Sequence, residues 1–157
     1  TSNSNGAFNY SSSATSVATV TSDGVVTIVG AGTTTITAAQ AATTNYTSGS
    51  VTASLVVSPI APTIGALSVS AKNYGDASFN LTAPTSNSNG AFNYSSSATS
   101  VATVTSGGVV TIVGAGTTTI TAAQAATTNY TSGSVTASLV VSPIAPTIGA
   151  LSVSAKN

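Results

Sequence analysis

The run Ser100-Val101-Ala102-Thr103-Val104-Thr105-Ser106-Gly107-Gly108-Val109-Val110-Thr111-Ile112-Val113-Gly114-Ala115-Gly116-Thr117-Thr118-Thr119-Ile120-Thr121-Ala122 decides the fold. Residues 101–105 and 109–113 are rich in β-branched side chains, which fit the pleat of a strand. Between them stands Ser106-Gly107-Gly108, and glycine supplies the positive φ that a tight antiparallel turn requires. The run therefore predicts a β-hairpin. Gly114-Ala115-Gly116 then breaks the chain, and residues 117–123 read as a further strand with Ile120 turned inward. Helix competes only over the Ala-rich residues 121–126, where the preceding threonines and the lack of capping residues argue against it.

Working outward, the same run occurs earlier in the chain with one change. Thr1-Ser2-Asn3-Ser4-Asn5-Gly6 recurs as Thr85-Ser86-Asn87-Ser88-Asn89-Gly90, a period of 84 residues. The register holds to Asn157, which matches Asn73, and the single difference is Asp23 in the first copy against Gly107 in the second. That substitution falls in the hairpin turn, where Ser22-Asp23-Gly24 is also a good turn sequence. A long, near-identical repeat signals an array, and this period suits a small sandwich domain better than a solenoid turn.

Within one period the remaining strands follow from alternation and turn signals. Residues 63–69 carry Ile64, Leu67 and Val69, and the loop Lys72-Asn73-Tyr74-Gly75-Asp76 ends them. Residues 78–82 point Phe79 and Leu81 to one face; residues 91–95 place Phe92 and Tyr94 together; residues 135–141 close the unit. The expectation is all-β: tandem immunoglobulin-like Greek-key β-sandwich domains of about seven strands each. Ser58-Pro59-Ile60-Ala61-Pro62, repeated as Ser142-Pro143-Ile144-Ala145-Pro146, marks the joints. Two prolines in so short a span fix φ and remove donors, which predicts a short, semi-rigid connection. Residues 1–58 then read as a partial repeat lacking its first two strands, 59–142 as a complete repeat, and 143–157 as a linker and the first strand of a following repeat.

Composition excludes several classes. Charged residues are 3% of the chain, only Asp23, Lys72, Asp76 and Lys156, so there is no basic patch for phosphates or anionic lipid surfaces. Nucleic acid is not an expected partner. Apolar runs such as Leu55-Val56-Val57 fall far short of the ~20 residues of a spanning helix, so no membrane insertion is expected. Disorder is disfavoured by the density of Val, Ile and Thr at zero net charge. The absence of Cys means that the fold uses no disulfides.

The quoted run resembles the signature of bacterial immunoglobulin-like domains of group 2 (BIg2). The downstream Asn129-Tyr130, the closing Leu139-Val140-Val141 and the upstream Tyr74-Gly75-Asp76 are similar to that family as well. The resemblance implies long arrays in adhesins and large bacterial surface proteins, and thus an extracellular location, on the bacterial cell surface or secreted. The scarcity of acidic residues argues against calcium-stiffened joints.

Residues with chemical potential are few. Without His or Cys, the one imaginable nucleophile pair is Ser68 or Ser70 with Lys72. Asp23 and Asp76 lie in different copies and make a poor carboxylate pair. An internal isopeptide bond would need Lys72, an Asn and a buried acid such as Asp76; the plainer reading of Asp76 is a turn residue bonding backbone amides. Gly114-Ala115-Gly116 lacks the Lys and helix start of a phosphate loop. Asn9, Asn45, Asn80, Asn93 and Asn129 begin Asn-x-Ser/Thr triplets, which arise by chance in so Ser/Thr-rich a chain. Tyr10, Tyr46, Tyr94 and Tyr130 are binding aromatics or core tyrosines. No catalytic, cofactor-binding or metal residue is assigned, no cofactor is expected, and the chain is not read as an enzyme.

The expected function is a structural repeat of a bacterial extracellular fibre, stalk or adhesin, acting as a stiff spacer or surface filament. The alternative is an adhesive module that recognises glycan or a host or cell-surface protein through its loops. The expected partners are neighbouring identical repeats, with head-to-tail or lateral self-association. Two readings of the chain's ends stay open: a longer array continues beyond them, or the tail of one chain completes the open domain of the next.

Overall fold

The computed structural model describes residues 2–153, which form strands, turns and loops. Twelve strands follow in order: β1 (Phe8–Ser12), β2 (Ala18–Val20), β3 (Val26–Ile28), β4 (Gly32–Gln40), β5 (Gly49–Val57), β6 (Lys72–Asn73), β7 (Phe79–Asn80), β8 (Phe92–Ser96), β9 (Ala102–Val104), β10 (Val109–Ile112), β11 (Gly116–Gln124) and β12 (Gly133–Ser142). They fall into two compact units. Unit 1 gathers residues 2–63 with Asn87–Gly90 and Ala125–Gly133; unit 2 gathers Ile64–Ser86, Ala91–Gln124 and residues 134–153.

Unit 2 holds a four-stranded sheet in the order β6-β12-β11-β8 and a three-stranded sheet in the order β7-β10-β9. Along β11 the side chains alternate, so Thr118, Ile120, Ala122 and Gln124 are buried while Thr117, Thr119 and Ala123 are exposed. This period of two is what a pleated strand imposes when one face meets a core. Val110 of β10 and Leu139 and Val141 of β12 bury against the same core, with Leu67 and Tyr94. Each fully buried aliphatic side chain stabilises the unit by about 1.5–3 kcal/mol. The buried polar side chain Thr118 is satisfied: its Oγ1 accepts from the Ala98 amide at 2.9 Å and lies 2.8 Å from Ser96 Oγ. Thr34 repeats the arrangement in unit 1 with Ala14 and Ser12.

The hairpin expected over residues 101–113 is present, with Val110 opposite Val104 and Ile112 opposite Ala102. Positive φ is confined to Gly108 in this turn and to Gly24 in its twin, at 89° and 81°. Gly107 has no such requirement, which explains why Asp23 can stand at the same position. Residues 121–124 are strand, so the helical alternative fails there.

Three expectations need correction. Residues 63–69 form no ladder; Ile64 makes only an isolated bridge to Ser86, although Leu67 still reaches the core. Pro62 has no N–H, and the Gly65 amide is taken by Thr85 O at 2.8 Å, so the segment is pinned at points instead of zipped. The expected loop at Lys72 instead begins with a strand, β6, parallel to Val141 and Ser142. Asp76 makes this possible by closing a turn behind it: the Asn73 amide donates to Asp76 Oδ2 at 2.8 Å, and Gly75 adopts φ 90°. The strand expected over 78–82 shrinks to β7, which pairs with Val109 and Val110. At the other end of the chain, residues 143–153 form no strand, and Lys156 and Asn157 lie outside the described residues.

Unit 1 repeats part of this plan in the sheets β1-β4-β5 and β2-β3. Its register is the same, Ser12 facing Ile36 as Ser96 faces Ile120. Among the described residues, however, β3 pairs only with β2 and β5 only with β4, whereas their counterparts β10 and β12 also pair with β7 and β6. The face that Leu67, Phe79 and Leu81 help cover in unit 2 is therefore open here. Val26 is 41% exposed where Val110 is 0%.

Candidate functional site

A set of polar contacts surrounds the proline joint, within unit 1. Pro59 and Pro62 offer no N–H groups, so the joint has few backbone donors, and each unpaired one would cost stability if buried. The Ile60 amide donates to Asn129 O at 3.1 Å, and the Thr131 amide donates to Ile60 O at 2.8 Å, giving a parallel bridge between Ile60 and Tyr130. Asn129 also uses its side chain, whose Oδ1 accepts from the Ala31 amide at 2.8 Å. Gly30 permits this approach, because a Cβ there would stand 2.9 Å from Ser16 O and 3.1 Å from Asn129 Oδ1.

The loop that supplies Asn129 is itself fixed, since the Thr127 amide donates to Tyr130 O at 2.9 Å and the Tyr130 amide to Thr127 Oγ1 at 3.2 Å. Thr63, at the far side of the joint, donates its amide to Asn87 Oδ1 at 2.8 Å. A shallow hollow of about 390 Å³ beside these groups is lined by Asn89, Thr127, Thr128, Asn129 and Tyr130. The arrangement can hold backbone in place or offer amides and hydroxyls to a polar ligand.

The residues singled out from sequence are dispersed. Lys72 places Nζ 4.7 Å above the centre of the Phe79 ring, a cation–π contact, at one side of a groove of about 420 Å³ that Ser68 and Ser70 also line. Asp76 is exposed and bonded to the Asn73 amide, as a turn residue is, and so does not supply the buried acid of an isopeptide site. Asp23 is exposed in the hairpin turn of unit 1. Gly114 and Gly116 lie where a Cβ would stand 2.7 Å from Ser100 O and 2.9 Å from Val101 Cγ2, so they serve close packing. Among the described residues no three His, Cys, Asp or Glu groups cluster as metal ligands, and no helix is long and apolar enough to cross a membrane.

Tyr94 is buried, and burial raises its phenol pKa above the ordinary value. Tyr10 and Tyr130 are half-buried, while Tyr46 and Tyr74 are 42% and 49% exposed. The five triplet asparagines are all exposed. Sequence reading noted Asn129 only as such a triplet and as part of a family pattern. Its bond to Ala31 spans parts of the chain that no local periodicity connects.

Comparison with known proteins gives one family match. The family profile described as the immunoglobulin-like domain of intimin matches residues 1–43 and 79–127, more than half of the chain. No curated protein matches it in sequence. Among solved structures, surface layer protein SbsC domains 1–6 is 22% identical, with 89% of this chain and 20% of that chain covered at TM-score 0.38. SbsC domains 4 and 5 gives 23% identity, with 87% and 70% covered at TM-score 0.39. BT4661, a SusE-like surface located polysaccharide binding protein from Bacteroides thetaiotaomicron, gives 13% identity, with 87% and 29% covered at TM-score 0.37. The chain thus spans about a fifth of the first of these.

Proposed function

Because the chain belongs to the intimin immunoglobulin-like domain family, we propose that its repeats are structural modules of a bacterial extracellular fibre, stalk or adhesin, working as stiff spacers on the cell surface or in a secreted filament. The observation that carries this reading is repetition without specialisation. One sequence builds β1, β2, β4 and β5 and again β8, β9, β11 and β12, and its only substitution, Asp23 against Gly107, falls in a turn that tolerates both. A spacer needs the same fold many times; a recognition site at a tip needs a surface unlike its neighbours. The domain plan that goes with this reading is a partial repeat over 1–58, a complete seven-strand Greek-key repeat over 59–142, and a connecting segment from 143. We read the repeats as the group 2 type on the run 100–122.

The residue inventory contains no catalytic constellation: there is no His or Cys, and Ser68, Ser70 and Lys72 only line an open groove. An adhesive role is the second reading, favoured by the exposed Tyr46 and Tyr74, which offer flat faces to a sugar or protein. A glycan array and a cell-binding assay with the whole chain separate the two. The spacer reading expects no saturable binding, together with stepwise unfolding under force. Saturable binding lost in Tyr46→Ala or Tyr74→Ala overturns it in favour of adhesion.

A further inference from the structure

The register of two edge strands shows where each repeat has hydrogen bonds left to make. β8 ends the sheet β6-β12-β11-β8 and β1 ends the sheet β1-β4-β5, so each pairs on one side only. Just past β8 the Ser97 amide donates to Thr119 O at 3.0 Å, which makes Ser97 and Thr119 a hydrogen-bonded pair. Such pairs alternate along an antiparallel ladder, so Ser95 with Thr121 and Asn93 with Ala123 bond inward as well. The backbone N–H and C=O groups of Phe92, Tyr94 and Ser96 therefore point away from β11, along the outer edge. In β1 the bond from the Ser13 amide to Thr35 O sets the same phase and turns Phe8, Tyr10 and Ser12 outward. Among the described residues no other strand pairs with either edge.

These edges lack the features that usually keep copies apart. Neither strand contains a charged residue or a proline, and β8 pairs with β11 through five consecutive residues without a bulge. The chain is neutral overall, so no net repulsion opposes the approach of an identical edge. The run Phe92-Asn93-Tyr94-Ser95-Ser96 is also suited to pair with itself. A two-fold axis at Tyr94 sets Tyr94 opposite Tyr94 and Phe92 opposite Ser96, and all three residues have their backbone groups turned outward. Side chains directly opposite share a face; Tyr94 faces the core, so the two cores lie on one side of a continuous sheet. Exposed Asn93 and Ser95 meet on the other face, amide against hydroxyl. We propose that β8, and its twin β1, are lateral docking edges that pair antiparallel with the same strand of a second copy of this chain. This goes beyond the spacer reading and does not depend on it, since it concerns how chains meet side by side. Strands of five residues make a short ladder, so each contact is weak and reversible.

Residue-resolved amide exchange of the whole wild-type chain, followed with sedimentation velocity as concentration rises, tests this. Dimers and larger species should form, and the amides of Phe92, Tyr94 and Ser96, or of Phe8, Tyr10 and Ser12, should slow at least tenfold with them. Asn93 and Ser95, already bonded within the fold, should not change. A second arm uses charge. In a chain carrying Asn9→Lys, Ser11→Lys, Asn93→Lys and Ser95→Lys the new ammonium groups would face one another across the pair, and association should weaken at least tenfold. All four side chains are exposed, so the cores are untouched. Mixing that chain with one carrying Asn9→Asp, Ser11→Asp, Asn93→Asp and Ser95→Asp should restore association at low salt. A wild-type chain that stays monomeric at all concentrations overturns the proposal, as do oligomers whose outward amides exchange as fast as in the monomer. So does association that persists unchanged in the lysine chain, or a mixture that stays monomeric. Should the charged chains fail to fold, the exchange of the wild-type amides decides alone.

Discussion

Ile36 and Ile120 occupy the same place in the same sequence and the same strand register, opposite Ser12 and Ser96, yet only Ile120 is closed off from water. The difference cannot come from local sequence, which is identical around both. It comes from what lies across the sheet: Leu67, Phe79 and Leu81 pack into the core that holds Ile120. Ile120→Ala should therefore cost about 2–5 kcal/mol through lost transfer energy and a residual cavity. Ile36→Ala should cost less than half as much. Site-resolved hydrogen exchange in urea, comparing amides of β11 and β4, measures both, and equal losses would show that the two faces are equally covered.

The hairpin turn gives a sharper contrast over two adjacent residues. Gly107→Asp should change stability by no more than about 0.5 kcal/mol, since Asp23 already stands there in the other copy. Gly108→Ala should cost ~1 kcal/mol or more, because φ is 89° and the new Cβ would stand 3.1 Å from Tyr94 Cε2. Denaturant midpoints of the two variants decide it; a benign Gly108→Ala would contradict the turn geometry.

Tyr94 links stability to alkaline pH. Its folded pKa is raised by burial above the ordinary 10.0. The neutral phenol is thus the form that the folded state prefers, and the associated stability is fully present below pH 10 and lost as pH rises through the folded pKa. Unfolding midpoints should be flat through neutrality and fall above about pH 10, and the fall should shrink in Tyr94→Phe. A fall of the same size in that variant would assign it to another group.

Asn129→Ala removes the acceptor for the Ala31 amide. The site is exposed, so the loss in stability should be modest, about 0.5–1.5 kcal/mol. Exchange of the Ala31 amide should accelerate, while amides of β11 should keep their protection. Unchanged exchange at Ala31 would mean that the bond is not maintained in solution.

How much of this could be read from sequence depended on range. The hairpin over 101–113, the alternating strand around Ile120 and the pairing of Phe92 with Tyr94 on one face follow from neighbours within a few residues, where pattern and turn chemistry speak directly. The segment 63–69 looked equally strand-like, but the choice between a ladder and point contacts was made by Thr85 and Ser86, about twenty residues away. β6 went unseen because two residues carry no periodicity; its existence rests on β12 lying alongside. The candidate site shows the same divide. The prolines of the joint were legible as punctuation, whereas the acceptor for the Ile60 amide, Asn129 O, lies far along the chain, and nothing in the triplet Asn129-Tyr130-Thr131 announces that role.

The identity of β4 and β11 has a consequence for how the chain reaches its fold. Gly32–Gln40 and Gly116–Gln124 have the same nine residues, as do Gly49–Val57 and the start of β12. No side-chain match therefore distinguishes a correct β4–β5 pair from a wrong β4–β12 pair during folding. Only connectivity does. The correct pair closes a loop over residues 41–48, and the wrong one over residues 41–132. A loop roughly eleven times longer costs about 2 kcal/mol more in chain entropy, a bias of roughly fortyfold toward the right partner. That margin is modest for a molecule built from interchangeable parts, so early closure of each repeat as it leaves the ribosome protects it from trading strands with its neighbour.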